Sequence, residues 1–123
     1  MSNSKVIIDF IEAWNRMDFD SISSALDENI FYHNIPMEPL NGKEAALSFL
    51  TGLADCESIF WELIFIAENG NAVLTERIDN FNYKDGRKIS LPVMGTFEVK
   101  NGKILKWRDY FDLSTFQKQI VGE

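Results

Sequence analysis

Three turn dipeptides in the second half of the chain constrain its fold more than any other feature. Asn69-Gly70, Asp85-Gly86 and Asn101-Gly102 each separate two runs that are rich in β-branched and aromatic residues. Asn-Gly and Asp-Gly favour the tight turn of a β-hairpin, because they tolerate the positive φ that such turns need. We therefore predict an antiparallel meander of four strands, at residues 59–67, 72–83, 88–100 and 103–112.

The first half of the chain has the apolar periodicity of α-helices. Apolar residues recur at helical spacing from Val6 to Met17, and residues 2–4 offer polar side chains that can cap this helix. A turn at Asp18 leads into a shorter helix, whose buried side is expected to run from Phe19 to Leu26. Each helix therefore presents one apolar face to the rest of the domain.

Short elements connect these helices to the meander and close the chain. Residues 30–34 are typical of a strand that stops before a proline, and residues 36–40 are expected to form a loop. Asn41 followed by Glu44 resembles a capping box, which predicts a third helix to about Leu53. A closing helix is predicted to run to residue 120, with Ser114 as its cap and Asp112 helping to start it.

This order of elements is typical of the α+β class. No linker, repeat or charge run divides the 123 residues, so we predict a single domain over residues 1–123. A strongly twisted sheet of this size curls into a cone or half-barrel around the helices. The apolar mouth of such a cone is a common place for a small-molecule site.

Composition narrows the classes of function. A net charge of -7 argues against nucleic acid and anionic membranes as partners, because both favour a basic patch. The single cysteine, Cys56, excludes an internal disulfide and fits a reducing compartment, and no apolar run is long enough to span a bilayer. Without a secretory pattern at the N-terminus, a cytoplasmic location is expected. One histidine, one cysteine and no Gly-rich phosphate loop leave no expected metal or cofactor.

The segment 75–81 carries the most informative polar residues. Side chains alternate faces along a strand, so Arg77 and Asp79 lie on the same face, between Thr75 and Phe81. A charge on an apolar face is tolerated only when it is paired and hydrogen-bonded. Asp109, near the C-terminus, supplies a second carboxylate. Two carboxylates around one guanidinium leave one excess negative charge, which a single shared proton neutralises.

Other strands offer polar groups to the same interior. Tyr32 and Asn34 share a face by the period of two, and Asp109 shares one with Trp107 and Phe111. If these faces are concave, five polar groups converge in an otherwise apolar cavity. The single histidine, His33, alternates away from Tyr32 and Asn34, so we interpret it as an outward or interface residue.

Three of these stretches resemble the limonene-1,2-epoxide hydrolase family. They are Tyr32-His33-Asn34-Ile35-Pro36, Thr75-Glu76-Arg77-Ile78-Asp79 and Trp107-Arg108-Asp109-Tyr110-Phe111-Asp112-Leu113. The resemblance covers nearly the whole chain. It implies the cone-shaped fold of the nuclear-transport-factor-2-like (NTF2-like) and SnoaL-like superfamily, with a curved, mixed but mostly antiparallel sheet wrapped around the N-terminal helices.

The resemblance also implies a mechanism, which is one-step addition of water to a small apolar epoxide to give a vicinal diol. Asp109 is then the general base and Asp79 the general acid, with Arg77 bridging them. Tyr32 and Asn34 position the water. For the apolar wall that binds the substrate, we expect the residues Ile11, Leu53, Leu91, Val93 and Phe111.

The residues alone leave other interpretations open. Arg77 and Asp79 on a solvated face would be an ordinary cross-strand ion pair of little energetic value. The superfamily also admits a ketosteroid-isomerase-like isomerase, a polyketide cyclase, or a ligand-binding module without catalysis. The opposite face of the sheet carries Leu74, Ile78 and Met94, and this apolar surface predicts a homodimer.

Overall fold

The fold consists of one curved sheet with helices on its concave side, in a computed structural model that describes residues 2–122. The four helices are α1 (Asn3–Asn15), α2 (Phe19–Ala25), α3 (Lys43–Leu50) and α4 (Leu113–Ile120), and a 3-10 turn at Thr51–Asp55 follows α3. The strands are β1 (Leu26–Asn34), β2 (Leu40–Asn41), β3 (Cys56–Asn69), β4 (Ala72–Tyr83), β5 (Lys88–Lys100) and β6 (Lys103–Tyr110).

The six strands form a single mixed sheet in the order β2-β1-β6-β5-β4-β3. Only β1 and β6 pair in parallel, and the remaining neighbours are antiparallel. The pairing of β1 with β6 sets Asn34 opposite Asp109. On the other side of β6, Asp109 lies opposite Gly95 of β5, which in turn lies opposite Thr75 of β4. This register aligns the strands that carry polar side chains at one level of the sheet.

The N-terminal helices fill the hollow of the sheet. Ser2 caps α1 by accepting a hydrogen bond from the backbone N–H of Lys5, at 3.1 Å. The apolar face of α1 then packs against the concave surface, where the Phe10 ring meets Trp107 edge-to-face at 5.2 Å and Phe97 at 6.1 Å. Aromatic contacts of this geometry add to the free energy gained from burial of the rings.

No helix within residues 2–122 has both the length and the apolarity to cross a bilayer.

The meander predicted from the turn dipeptides is confirmed. Strands β4 and β5 have the predicted bounds, and the turn glycines Gly70, Gly86 and Gly102 all have positive φ. Asn101 adopts φ 51°, which an asparagine tolerates better than most residues. The α+β class and the curved sheet around N-terminal helices are confirmed as well.

Two predictions about the region between the helices are wrong. Asn41 does not cap the third helix; it pairs with Phe31 in β2, and Gly42 at φ 92° precedes α3 without any side-chain cap. The capping box is absent because Asn41 forms strand β2 together with Leu40. Leu40 is therefore part of a strand and not of the predicted loop. Leu26 is the first residue of β1 rather than the end of a helix, although it is buried as expected.

The end of the chain also differs from the prediction. Strand β6 ends at Tyr110, two residues short of the predicted end, and α4 begins at Leu113. Asp112 caps α4, because its carboxylate accepts hydrogen bonds from the backbone N–H and the hydroxyl of Thr115. Ser114 is therefore inside the helix. A carboxylate is a stronger acceptor for the free N–H groups of a helix start than a neighbouring hydroxyl.

Candidate active site

A buried arginine between two aspartates is the centre of the candidate site. Arg77 is 0% exposed, Asp79 is 4% exposed and Asp109 is 5% exposed. The guanidinium donates to Asp79 through Nε, at 3.0 Å, and through Nη2, at 2.8 Å. It donates to Asp109 through Nη1, at 3.3 Å, and again through Nη2, at 3.1 Å. The ordinary ion pair on a solvated face is therefore excluded.

The fifth N–H of the guanidinium also has an acceptor. Nη1 of Arg77 donates to the Thr75 hydroxyl at 3.1 Å, and that hydroxyl donates to the Gly95 carbonyl at 3.2 Å. The charge is further stabilised by the Trp61 ring, whose centroid lies 4.5 Å from the guanidinium carbon. Arginine has five N–H donors and no acceptor. The five hydrogen bonds described above therefore give every donor of Arg77 a protein acceptor, without water. This geometry fixes both carboxylates relative to one another.

The close approach of β5 to this cluster depends on a residue without a side chain. A Cβ atom on Gly95 would lie 2.3 Å from Arg77 Nη1 and 2.5 Å from Asp109 Oδ1. Gly95 is not among the residues predicted from the sequence, although a lone glycine inside a strand is a recognised signal of close approach by another group. Only glycine leaves room for the charged cluster at this point of the sheet.

Trp107 completes the surroundings of Asp109, since its indole Nε1 donates to Asp109 Oδ1 at 2.9 Å. The two residues lie on the same face of β6, two positions apart. The indole is itself stacked on the Tyr32 ring at 4.3 Å and on the Phe97 ring at 5.6 Å. The period of two along β6 predicts Trp107 on this face, but the sequence holds no signal for its hydrogen bond to Asp109.

Tyr32 and Asn34 lie on the same wall of the cavity as Asp109. The side-chain amide of Asn34 donates to the Tyr32 hydroxyl oxygen at 3.0 Å. Two groups therefore have no partner among the residues that the structure describes and can bind a further molecule: the Asn34 side-chain carbonyl can accept, and the Tyr32 hydroxyl can donate. The five polar side chains expected from the sequence are thus brought together at one end of the sheet.

The cavity beside this cluster has a volume of about 300 Å³ and is mostly apolar. Leu53, Leu91, Val93 and Phe111 line it, as expected for the apolar wall. Ile11 does not; it belongs to the face of α1 that packs into the hydrophobic core, and it is absent from the lining. The cavity is also lined by residues that were not predicted to line it, among them Met37, Phe49, Phe81, Tyr83, Ile89 and Phe116.

Burial gives these ionisable groups unusual proton affinities. Burial raises the pKa of the Asp79 carboxyl, an effect that outweighs the opposing influence of Arg77. Burial likewise raises the pKa of the Tyr32 phenol, with a further contribution from the Asp109 carboxylate. Burial alone would lower the pKa of Arg77, but the carboxylates of Asp109 and Asp79 raise it overall. The arrangement can therefore keep a proton on a carboxyl beside a permanent cation.

The remaining reactive side chains lie outside the cluster. His33 is half-buried and does not line the cavity; its Nε2 is 2.8 Å from the Met37 carbonyl oxygen. Cys56 is buried, and burial raises the pKa of its thiol, which disfavours the reactive thiolate. Among residues 2–122 no group of three His, Cys, Asp or Glu side chains is arranged to hold a metal ion.

Solved structures place the chain in the NTF2-like fold class. An NTF2-like protein of unknown function from Burkholderia pseudomallei K96243 superposes with a TM-score of 0.85 at 18% identity, covering 99% of this chain and 100% of that one. An LEH-like epoxide hydrolase of Mycobacterium tuberculosis superposes with a TM-score of 0.83 at 29% identity, covering 95% of this chain and 87% of that one. The first of these likenesses shows the fold alone.

Sequence comparison identifies the family. The model of the limonene-1,2-epoxide hydrolase catalytic domain matches residues 1–122. Epoxide hydrolase EphG of Mycobacterium tuberculosis is 33% identical over 112 residues, which are 91% of this chain and 74% of that protein. The chain therefore belongs to the limonene-1,2-epoxide hydrolase family, as the three sequence stretches predicted.

The geometry at Gly95 generates a test of the charged cluster. We expect Gly95→Ala to lower the unfolding free energy by about 1–3 kcal/mol, because the new methyl group must displace Arg77 or Asp109. Urea unfolding measures this loss. Ligand affinity or turnover should fall with it, since the displacement changes the position of Asp109 at the cavity wall or of the guanidinium that holds it.

Gly102→Ala is the matched control for that substitution. Gly102 has φ 75° and no atom within 4 Å of an added Cβ, so alanine there strains only the turn between β5 and β6. We expect this variant to lose about 1–2 kcal/mol of unfolding free energy while it keeps its activity. A Gly95→Ala protein with wild-type stability and activity would contradict the described packing of the cluster.

Proposed function

We propose that this protein is an epoxide hydrolase that adds water to a small apolar epoxide in one step and releases a vicinal diol. The observation that carries the proposal is the pair of buried carboxylates on one guanidinium, at the wall of an apolar cavity. Family membership supports the same class of reaction. The five polar side chains supply acid, base and positioning, so the proposed reaction uses no cofactor.

Asp109 is the proposed general base, and Tyr32 and Asn34 position the water. A water molecule between them donates one hydrogen to the Asp109 carboxylate and the other to the Asn34 side-chain carbonyl. It accepts a hydrogen from the Tyr32 hydroxyl, whose own oxygen is occupied by the Asn34 amide. One lone pair of the water remains free, and it is this pair that attacks the epoxide carbon.

Asp79 is the proposed general acid, and Arg77 bridges it to Asp109. As the water oxygen bonds to carbon, Asp109 takes a proton from the water, the ring C–O bond breaks, and Asp79 gives its proton to the ring oxygen. The raised pKa of Asp79 supports this role, because the carboxyl must hold its proton near neutral pH. Each general acid or base contributes about 10²–10⁴-fold to such rates.

The apolar lining supports an apolar substrate. The residues proposed to contact it are Leu53, Leu91, Val93 and Phe111. A cavity of about 300 Å³ lies at the lower end of the usual range for small-molecule sites, so a compact epoxide fits it best. We also propose a cytoplasmic location, in keeping with the free thiol of Cys56.

Labelled water tests the reaction directly. The purified protein is incubated with small cyclic and terpene-like epoxides in ¹⁸O-water, and the product is analysed by mass spectrometry. We expect one labelled oxygen in a vicinal diol. An unlabelled product isomeric with its substrate would instead indicate the isomerase or cyclase alternative, and ligand binding without any turnover would indicate a binding module.

The same assay tests the two roles of the aspartates. Asp109→Asn and Asp79→Asn should each reduce kcat by about 10²–10⁴-fold, because each variant removes one proton transfer. Asp20→Asn, at an exposed position of α2, is the matched control and should keep wild-type kcat. Circular dichroism checks that the variants fold. Full activity of Asp109→Asn would refute the proposed mechanism.

We further propose that the protein forms a homodimer through the convex face of its sheet. Phe65, Glu76, Met94 and Tyr110 are successive cross-strand neighbours on β3 to β6, and the three apolar members of this row are exposed. Exposed Leu74 and half-buried Ile78 flank the row on β4. An apolar patch that spans four strands is typical of a surface covered by a partner.

Sedimentation velocity tests the dimer. We expect the wild-type protein to sediment as a dimer at micromolar concentration and Met94→Lys to shift it towards monomer, because the interface would bury an ammonium group in place of an apolar side chain. Ser24→Lys, which adds the same charge at an exposed position of α2, should leave the dimer intact. A wild-type protein that sediments as a monomer would rule out this interface.

A further inference from the structure

The two aspartates of the cluster do not receive equal numbers of hydrogen bonds. Asp79 accepts two N–H groups, both from Arg77. Asp109 accepts three, of which two come from Arg77 and one comes from Trp107. A hydrogen bond donated to a carboxylate stabilises its ionised form, so the indole of Trp107 breaks the symmetry of the pair.

We propose that Trp107 is a positioning residue that keeps Asp109 ionised and thereby assigns the shared proton to Asp79. The inference rests on the proposed function, because it explains which carboxyl is base and which is acid. Neither the guanidinium nor burial explains this division, since Arg77 contacts both carboxylates and both are buried to a similar degree.

The indole is held rigidly enough for this role. Trp107 is 1% exposed and is enclosed by four rings, with Tyr32 and Phe97 stacked on it, Phe10 edge-on at 5.2 Å and Trp61 tilted at 6.1 Å. Its N–H therefore points in one direction without further ordering. A donor that is already oriented does not have to reorient when the charge on Asp109 changes during the reaction, so no free energy of reorganisation is lost at that step.

Few other charges face Asp109. Arg77 and Asp79 approach it from β4, and the Tyr32 phenol lies nearby on β1, whereas α1 presents the uncharged Phe10. On β5 the facing residue is Gly95, which has no side chain. Within residues 2–122 the Trp107 indole is thus the donor that distinguishes Asp109 from Asp79.

The test removes the N–H while keeping an aromatic ring. We expect Trp107→Phe to move the acid limb of the kcat/KM pH profile upwards by about one to two pH units, because Asp109 loses a hydrogen bond to its charged form. At a pH on the acid limb, activity should fall about 10- to 100-fold relative to the wild-type protein and recover as the pH rises. A wild-type acid limb, whatever the change in kcat, would overturn the proposal.

Trp14→Phe is the matched control. Trp14 is equally buried, but its indole N–H has no hydrogen-bond partner within residues 2–122, and it does not line the cavity. This variant removes the same atoms from the core, so we expect lower stability with an unchanged pH profile. A similar shift of the acid limb in both variants would assign the effect to packing and overturn the proposal.

A benzothienyl analogue of tryptophan, installed at position 107, serves if Trp107→Phe fails to fold. Its sulfur replaces the N–H while the bicyclic shape is kept, so we expect the same upward shift of the acid limb. No shift with this analogue would refute the role of the hydrogen bond.

A readout without turnover separates this inference from the proposed function. In the wild-type protein, we expect the indole N–H resonance of Trp107 to stay constant around neutral pH and to move at low pH, as Asp109 takes up a proton. The Trp14 resonance should not follow it. Loss of hydrolysis with this titration intact would refute only the proposed function, whereas an indole resonance of Trp107 that ignores pH would refute the inference.

Discussion

The structure depends on one interaction, the burial of Arg77 between Asp79 and Asp109. A guanidinium that is 0% exposed is stable only if all of its donors have acceptors, and the two carboxylates and the Thr75 hydroxyl meet this demand. Two carboxylates exceed the charge of one guanidinium, so one proton held by the buried cluster would make it neutral. This constraint links the packing of the sheet to the proposed acid–base chemistry.

The same constraint makes stability depend on pH. Because burial raises the pKa of Asp79, the native chain holds this proton at a higher pH than the unfolded chain does. The unfolding free energy then falls as pH rises through the window between the ordinary pKa of an aspartate and the higher native value. In the proposed mechanism this loss accompanies the function, since a carboxyl that ionised easily would not protonate a substrate. Functional sites often lower the unfolding free energy of a protein in this way.

Much of the fold could be predicted because local signals and tertiary structure agree. The turn dipeptides set the bounds of β4 and β5, and the period of two puts Arg77 and Asp79 on one face. Predictions failed where tertiary contacts decide: Asn41 pairs in a strand instead of capping a helix, and Ile11 faces the core because of how α1 packs. The bond from Trp107 to Asp109 depends on a side-chain orientation, which no sequence pattern encodes.

Infrared difference spectroscopy tests the central claim most directly, because a protonated carboxyl has a carbonyl band distinct from that of a carboxylate. The account predicts that the wild-type protein at neutral pH shows one buried protonated carboxyl. Its band should disappear in Asp79→Asn and also in Asp109→Asn, because a single carboxylate already balances the charge of Arg77. If the wild-type protein lacks the band, or if the band persists in either variant, the buried cluster does not hold a shared proton and the account is wrong.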